Sequence, residues 1–250
     1  MDVDAASYSE HMKRRYDEIA ARVERACERS GRSLSDVQVM AVSKTVGVDE
    51  VLAAMRVGYR LFGENRPQEL VRKLDGLAQV EDVPGDVRFD MIGNLQTNKI
   101  NIVLGRATCI HSVSSLHLAE AISSRVERRL EAGMLDAPQP VLLEVNVSGE
   151  ESKSGFSPEE VRASLESLRQ LRGITITGLM TMAPRGDKDR VRATFVGLRE
   201  LRDELEHDQG DLHLPELSCG MSEDFEIAIE EGSTLVRLGR VVFNPLFELE

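Results

Sequence analysis

Between Tyr8 and Glu28 the apolar positions fall at Met12, Tyr16, Ile19, Val23 and Cys27. These steps of four, three, four and four line one face of an α-helix. Gly31 comes next, where a helix C-terminus commonly takes a left-handed residue. The period then shortens. Val37-Gln38-Val39-Met40-Ala41-Val42 is an apolar run that stops at Ser43-Lys44-Thr45, and it predicts a buried strand. From there strands and helices alternate. Further predicted strands are Tyr59–Phe62, Val87–Ile92, Thr108–Val113, Val141–Val147, Ile174–Met180, Leu212–Leu217 and Leu235–Leu238. Between them lie predicted helices at Glu50–Val57, Pro67–Leu77, Gln96–Val103, Leu116–Leu130, Pro158–Leu171, Lys188–Glu206 and Ser222–Glu230. Ala119, Ile122, Val126 and Leu130 make one apolar helix face, and Val191, Phe195, Leu198, Leu201 and Leu205 make another.

Eight strands alternating with helices in 250 residues match an α/β chain closed as a single (β/α)8 TIM barrel with an extra N-terminal helix. The runner-up is an open doubly wound sheet, but no G-x-G-x-x-G comes after the first strand. No Pro/Ser-rich linker breaks the chain, so residues 1–250 are expected to form one domain, with the helix over about 7–30 and the barrel over about 37–243.

Composition narrows the partners. The chain carries 43 acidic and 31 basic side chains, a formal charge of −12, which repels nucleic acid and anionic membrane surfaces. Met1–Glu10 has no apolar core of a leader peptide, and no apolar run approaches a membrane span. The cysteines, Cys27, Cys109 and Cys219, are odd in number and far apart. They fit neither a disulfide framework nor metal spacing, so a reducing cytoplasm is expected. No H-E-x-x-H, G-x-S-x-G or P-loop is present.

In such a barrel the site is built from the residues just past each strand's C-terminal end. Here those segments are Ser43-Lys44-Thr45, Gly63-Glu64-Asn65-Arg66, Gly93-Asn94-Leu95-Gln96, His111-Ser112, Asn146, Thr181-Met182, Ser218-Cys219-Gly220-Met221-Ser222 and Arg237-Leu238-Gly239-Arg240. Lys44, directly after an apolar strand, would be partly desolvated at the mouth and a nucleophile toward aldehydes; the bland reading is a lysine that snorkels from a strand end. Arg237 lies inside Leu235-Val236-Arg237-Leu238, where a guanidinium needs a carboxylate, a carbonyl or a ligand acceptor. Ser222 and Asp224 read as a helix N-terminus, and Gly220 and Gly239 as places where backbone approaches a phosphate; a plain capped helix is the alternative. His111 reads as structural, and Gly232-Ser233-Thr234 as a turn at the opposite face.

Taken in order, Ala41-Val42-Ser43-Lys44-Thr45, Phe62 to Arg66, Ile92 to Lys99, His111-Ser112-Val113, Asn146 to Phe156, Gly178 to Thr181, Leu217 to Asp224 and Gly232 to Gly239 resemble the pyridoxal phosphate homeostasis proteins (the YggS/PROSC group). The resemblance spans roughly Val37 to Phe243. It implies a barrel similar to the N-terminal domain of alanine racemase, with pyridoxal 5′-phosphate (PLP) as a Schiff base on Lys44. It also implies Arg237 facing the pyridine nitrogen, Ser218 with backbone groups near Gly239 and Arg240 on the phosphate, and Asn65, Met221 and Ser222 lining the pocket. Asp90 stands where the family often has histidine, Cys219 where it has methionine, and Asn244 where it has glycine.

Function is then expected to be storage, buffering or delivery of PLP in intracellular homeostasis, without robust turnover. An arginine at the pyridine nitrogen weakens the ring as an electron sink. A racemase also needs a second acid opposite the lysine. The twelve residues Gly239–Glu250 leave no room for a second domain to supply it, and Tyr8, Tyr16 and Tyr59 lie away from the mouth. The alternative is a PLP-dependent, racemase-like enzyme using Asp90 or a partner chain. Expected partners are PLP itself, PLP-dependent apo-enzymes or amino acids, with the chain a monomer or weak dimer.

Overall fold

Parallel strands buried on both faces read as nearly continuous apolar runs, and the eight runs of this chain close on one another. The computed structural model describes residues 5–249. In it β1 (Gln38–Val42), β2 (Leu61–Glu64), β3 (Arg88–Met91), β4 (Ile110–Val113), β5 (Gln139–Glu144), β6 (Ile174–Met180), β7 (Glu216–Ser218) and β8 (Leu235–Leu238) form a closed parallel barrel in chain order. The connecting helices are α2 (Val48–Val57), α3 (Pro67–Leu77), α4 (Ile100–Val103), α5 (Leu116–Glu131), α6 (Pro158–Arg169), α7 (Lys188–Gln209) and α8 (Phe225–Glu230); α1 (Ala5–Ser30) precedes the barrel and α9 (Arg240–Phe243) comes after it. This is a (β/α)8 barrel with an N-terminal helix.

Period two divides each strand between two environments. Ala41, Phe62, Phe89, Val141, Leu143, Leu179, Leu217, Val236 and Leu238 join the large core that packs the helices on the barrel. The alternate positions fill the barrel's inside: Met40, Val42, Leu61 and Leu235 form one cluster, and Cys109, Leu142 and Met180 another. Register carries polar residues into that interior. Arg237 is level with Met40, Ser218 with Met180, and Asp90 with Gly63, whose absent Cβ would lie 2.5 Å from the Met40 sulfur.

The first helix starts earlier than the sequence predicts, at Ala5, and ends at Ser30 as expected. It buries Met12, Ile19, Val23 and Cys27, the first three each contributing about 1.5–3 kcal/mol as fully buried large apolar side chains. Its polar flank ties down the far end of the chain. Arg22 and Arg29 reach Glu226 at 3.2 and 3.0 Å, and Arg15 donates to the Phe247 carbonyl at 2.6 Å. Gly31, at φ +66°, closes the helix as expected.

Strands six and eight match their predicted bounds, and the other six are trimmed or shifted, the second and seventh for visible reasons. The second shifts forward to Leu61–Glu64 because Tyr59 packs edge-on against Tyr16 of α1 at 5.1 Å instead of entering the ladder. The seventh shrinks to Glu216–Ser218, with Leu214 buried below it in the helix-facing core. The last predicted barrel helix begins at Phe225, not Ser222.

Candidate functional site

The C-terminal ends of β1 and β8 lie side by side, and each delivers a cation. Lys44 sits in the turn after β1, exposed, with no hydrogen bond or ion pair to the other described residues. Partial desolvation was expected there; the residue is instead exposed to solvent in the turn. Beneath it Ser43 is fully buried and donates to Glu64 Oε1 at 2.9 Å. Glu64 also pairs with Lys73 of α3, buried as deeply. No local motif singles out either residue, although Leu70, Lys73 and Leu77 share one helix face at steps of three and four.

Asn65 comes directly after β2. Its N–H meets Glu64 Oε2 at 3.3 Å, and its carbonyl sits where a Cβ on Gly93 would be only 2.2 Å away. Glycine at 93 is thus a packing requirement that lets the β2 and β3 ends touch. The Asn65 side-chain oxygen is buried and has no partner among the described residues. An unpaired buried acceptor of this kind costs about 1–3 kcal/mol unless something outside the chain satisfies it.

Arg237 is only 6% exposed. Its Nη1 donates to the Ser218 carbonyl and hydroxyl, both at 2.6 Å, and its Nη2 to the Thr181 carbonyl at 3.0 Å. Of five N–H donors, two remain for a ligand. Burial pulls its pKa below the usual arginine value, opposed by Cys219, Asp224 and Glu144 nearby. The sequence alternatives resolve toward carbonyl acceptors; no carboxylate touches it among the described residues.

Ser218 lies inside the barrel beside this guanidinium. Its hydroxyl has no exposed surface, being held between Arg237 and His111 Nδ1 at 3.1 Å, so it serves the arginine and is closed off from the mouth. His111 Nε2 in turn meets Asp90 Oδ2 at 3.1 Å. Asp90 is 4% exposed and its second oxygen accepts the Cys109 N–H at 3.0 Å. An acid at the mouth, which the racemase alternative required of it, is not where it lies.

Around β7 and β8 the backbone makes a shallow cradle. Gly220 takes φ +94°, and a Cβ there would lie 2.6 Å from that of Ala228. The close packing of α8 thus requires glycine at this position. Asp224 receives the Met221 N–H at 2.5 Å; Ser222, expected to cap the same helix, instead accepts the Val241 N–H at 3.3 Å. Ser222 thereby joins the loop after β7 to the start of α9. Among the described residues, the N–H groups of Gly239 and Arg240 find no backbone acceptor. The Arg240 side chain turns outward to Glu223 at 2.5 Å and over the Phe247 ring, so only its backbone belongs to the cradle. Gly232-Ser233-Thr234 is a turn, with Ser233 donating to the Cys219 carbonyl at 2.7 Å.

At the opposite end a cavity of about 570 Å³ lies between α1 and the starts of β1 and β2, lined by Tyr16, Ile19, Val39 and Tyr59 among others. None of the predicted site residues faces it. Tyr16 and Tyr59 belong to this end, as the sequence implied, whereas Tyr8 donates to the Phe243 carbonyl of α9 at 3.3 Å, past the C-terminal end of β8.

Comparison with known proteins agrees with this geometry. The family model for the alanine racemase N-terminal domain matches residues 15–245. A pyridoxal phosphate homeostasis protein of Aquifex aeolicus is 39% identical over 231 residues, 92% of this chain and 96% of its own. An unknown protein from Bifidobacterium adolescentis superposes with a TM-score of 0.85 at 37% identity, covering 97% of this chain and 98% of the other. PipY of Synechococcus elongatus, solved with PLP bound, gives 0.76 at 33% identity over 89% of this chain and all of its own (100%). By these matches the chain belongs to the alanine racemase N-terminal domain family, among its pyridoxal phosphate homeostasis proteins.

Proposed function

We propose that the protein binds pyridoxal 5′-phosphate at the mouth formed by β1, β2, β7 and β8, joined through Lys44, and holds it for storage, buffering or delivery inside the cell. The carrying observation is the pairing of an unengaged primary amine with a fixed guanidinium on adjacent strands, beside a buried Asn65 amide that lacks a partner. When bound, the cofactor supplies an aldehyde that condenses with an amine and an electron-withdrawing ring. Lys44 offers the amine. Arg237 keeps two donors for the pyridine nitrogen and, as a permanent cation, discourages its protonation. The Asn65 amide supplies a polar contact from the β2 side. The phosphate falls to the N–H groups of Gly239 and Arg240 together with Ser222, and Gly220 and Met221 shape the loop that carries Ser222. Ser218 acts through Arg237.

Carriage, not turnover, is supported by what surrounds the amine. Asp90 and His111 are engaged inside the barrel, and Tyr16 and Tyr59 lie at the far end. The three cysteines are buried and unpaired, which suits a reducing cytoplasm. No helix among the described residues is long and apolar enough to cross a membrane. The proteins that receive the cofactor are, on this reading, PLP-dependent apo-enzymes.

The test tracks two products. Protein loaded with PLP and dialysed is mixed with an apo-transaminase, and separately with L-amino acids before chiral analysis. The carrier reading expects transaminase activity to return and no sustained D-isomer. Continued D-isomer formation that disappears in Lys44→Ala overturns it in favour of a racemase-like enzyme.

A further inference from the structure

Behind the mouth the barrel interior holds a connected chain of side chains: Asp90, His111 and Ser218, ending on Arg237. All four are buried, each on a different strand, and each link is a direct contact of 3.1 Å or less.

Hydrogen-bond accounting assigns its protons. The Ser218 oxygen already accepts from Arg237 at 2.6 Å. Its one proton has the His111 Nδ1 lone pair in reach at 3.1 Å. If Nδ1 accepts, the ring's proton lies on Nε2 and points at Asp90 Oδ2. Asp90 is held in place because its other oxygen is used by the Cys109 N–H. Every donor then meets an acceptor from the carboxylate to the guanidinium. Fully satisfied buried networks of this kind fix one arrangement, because any reversal leaves a polar group unpaired.

We propose that Asp90, His111 and Ser218 are positioning residues that fix the orientation and proton pattern of Arg237, and so set the electronic state and affinity of the cofactor it faces; this rests on the PLP reading above. The carboxylate dictates the tautomer, the tautomer dictates the hydroxyl, and the hydroxyl with the Thr181 carbonyl dictates which two guanidinium protons stay free. Cys109, His111 and Glu216 also bring donor atoms within 4.8 Å of one another. Both ring nitrogens are already engaged, however, and burial pushes the Cys109 thiol well above its ordinary value, away from the thiolate a metal ion needs.

Asp90→Asn tests the relay with minimal change of shape. The new amide oxygen keeps the Cys109 N–H, which leaves the NH2 facing Nε2. The imidazole must then carry its proton on Nδ1, and the Ser218 hydroxyl loses its acceptor. PLP titrations are read by absorbance for wild type, Asp90→Asn, Ser218→Ala and the double variant. The expected result is a shifted visible band and about tenfold weaker binding in each single variant, with no further change in the double variant, because the relay is already cut. Ser218→Thr, which keeps a hydroxyl, is expected to restore the band. A wild-type band in Asp90→Asn, or strictly additive effects in the double variant, overturns the relay and leaves Asp90 a structural partner of Cys109. A wild type that develops no Lys44-dependent band is a different outcome, since it overturns the PLP reading itself.

Discussion

Two neighbouring strands bring two cations to the same mouth and treat them oppositely. Arg237 on β8 is buried, in register with Met40, and spends three donors on Ser218 and Thr181. Lys44, just past the end of β1, is exposed and engages nothing among the described residues. A group that must form a bond needs freedom and an available lone pair. A group that only shapes a field works better when it cannot move. Lys73 sharpens the contrast: it is a lysine close by in sequence, yet burial against Glu64 makes it part of the scaffold.

Substitutions can break this division of labour. The largest effect is expected at Lys44: Lys44→Ala should abolish covalent attachment of PLP while changing stability by no more than about 0.5 kcal/mol, as is usual for an exposed, unpaired side chain. Calorimetry of the apo-protein alongside borohydride trapping checks both halves. Next comes Lys73→Met, which leaves Glu64 buried without its cation and should cost about 3–5 kcal/mol in urea unfolding. Arg237→Leu should cost about 2–4 kcal/mol, because the Ser218 and Thr181 acceptors lose their donor, and should also shift the cofactor spectrum. An unchanged spectrum would make that arginine structural only.

Smaller effects refine the picture. Gly220→Ala meets both a positive φ and the Ala228 Cβ at 2.6 Å, and should lose about 1–3 kcal/mol with weaker PLP binding, since the loop carries Ser222. The smallest concerns Glu144, whose carboxyl burial pushes above its ordinary value, opposed by Arg237. A carboxyl raised on folding binds protons more tightly in the folded state. Its stability contribution is therefore full in acid and is lost as pH rises through the raised value. Glu144→Gln should accordingly gain stability over wild type at about pH 7 and show no gain near pH 3, measured by urea midpoints at both.

Much of this was legible in the sequence. Strand–helix alternation gave the barrel because its apolar periods change cleanly, and Ile174–Met180 and Leu235–Leu238 matched to the residue. Boundaries failed where an apolar residue served the helix layer instead of the ladder, as Tyr59 and Leu214 do. The mouth residues were visible because they lie just past strand ends. The interior residues were named one by one, but the contacts that join them were not legible, since those run between strands far apart in sequence. A signal was nevertheless present: Phe89-Asp90-Met91, Ile110-His111-Ser112, Leu143-Glu144-Val145, Leu217-Ser218-Cys219 and Val236-Arg237-Leu238 each set a polar residue directly after an apolar one, four of them between two apolar neighbours. In a two-sided buried strand that places the polar group inside the barrel. The Glu64–Lys73 pair needed the β2–α3 packing, which no local pattern reveals.

One measurement bears most directly on the central claim. Protein mixed with a stoichiometric amount of PLP is reduced with borohydride, digested and mapped by mass spectrometry across its six lysines. The account predicts a pyridoxyl label on the Lys44 peptide alone. Label spread over Lys13, Lys99, Lys153 and Lys188, or none on Lys44, would contradict it.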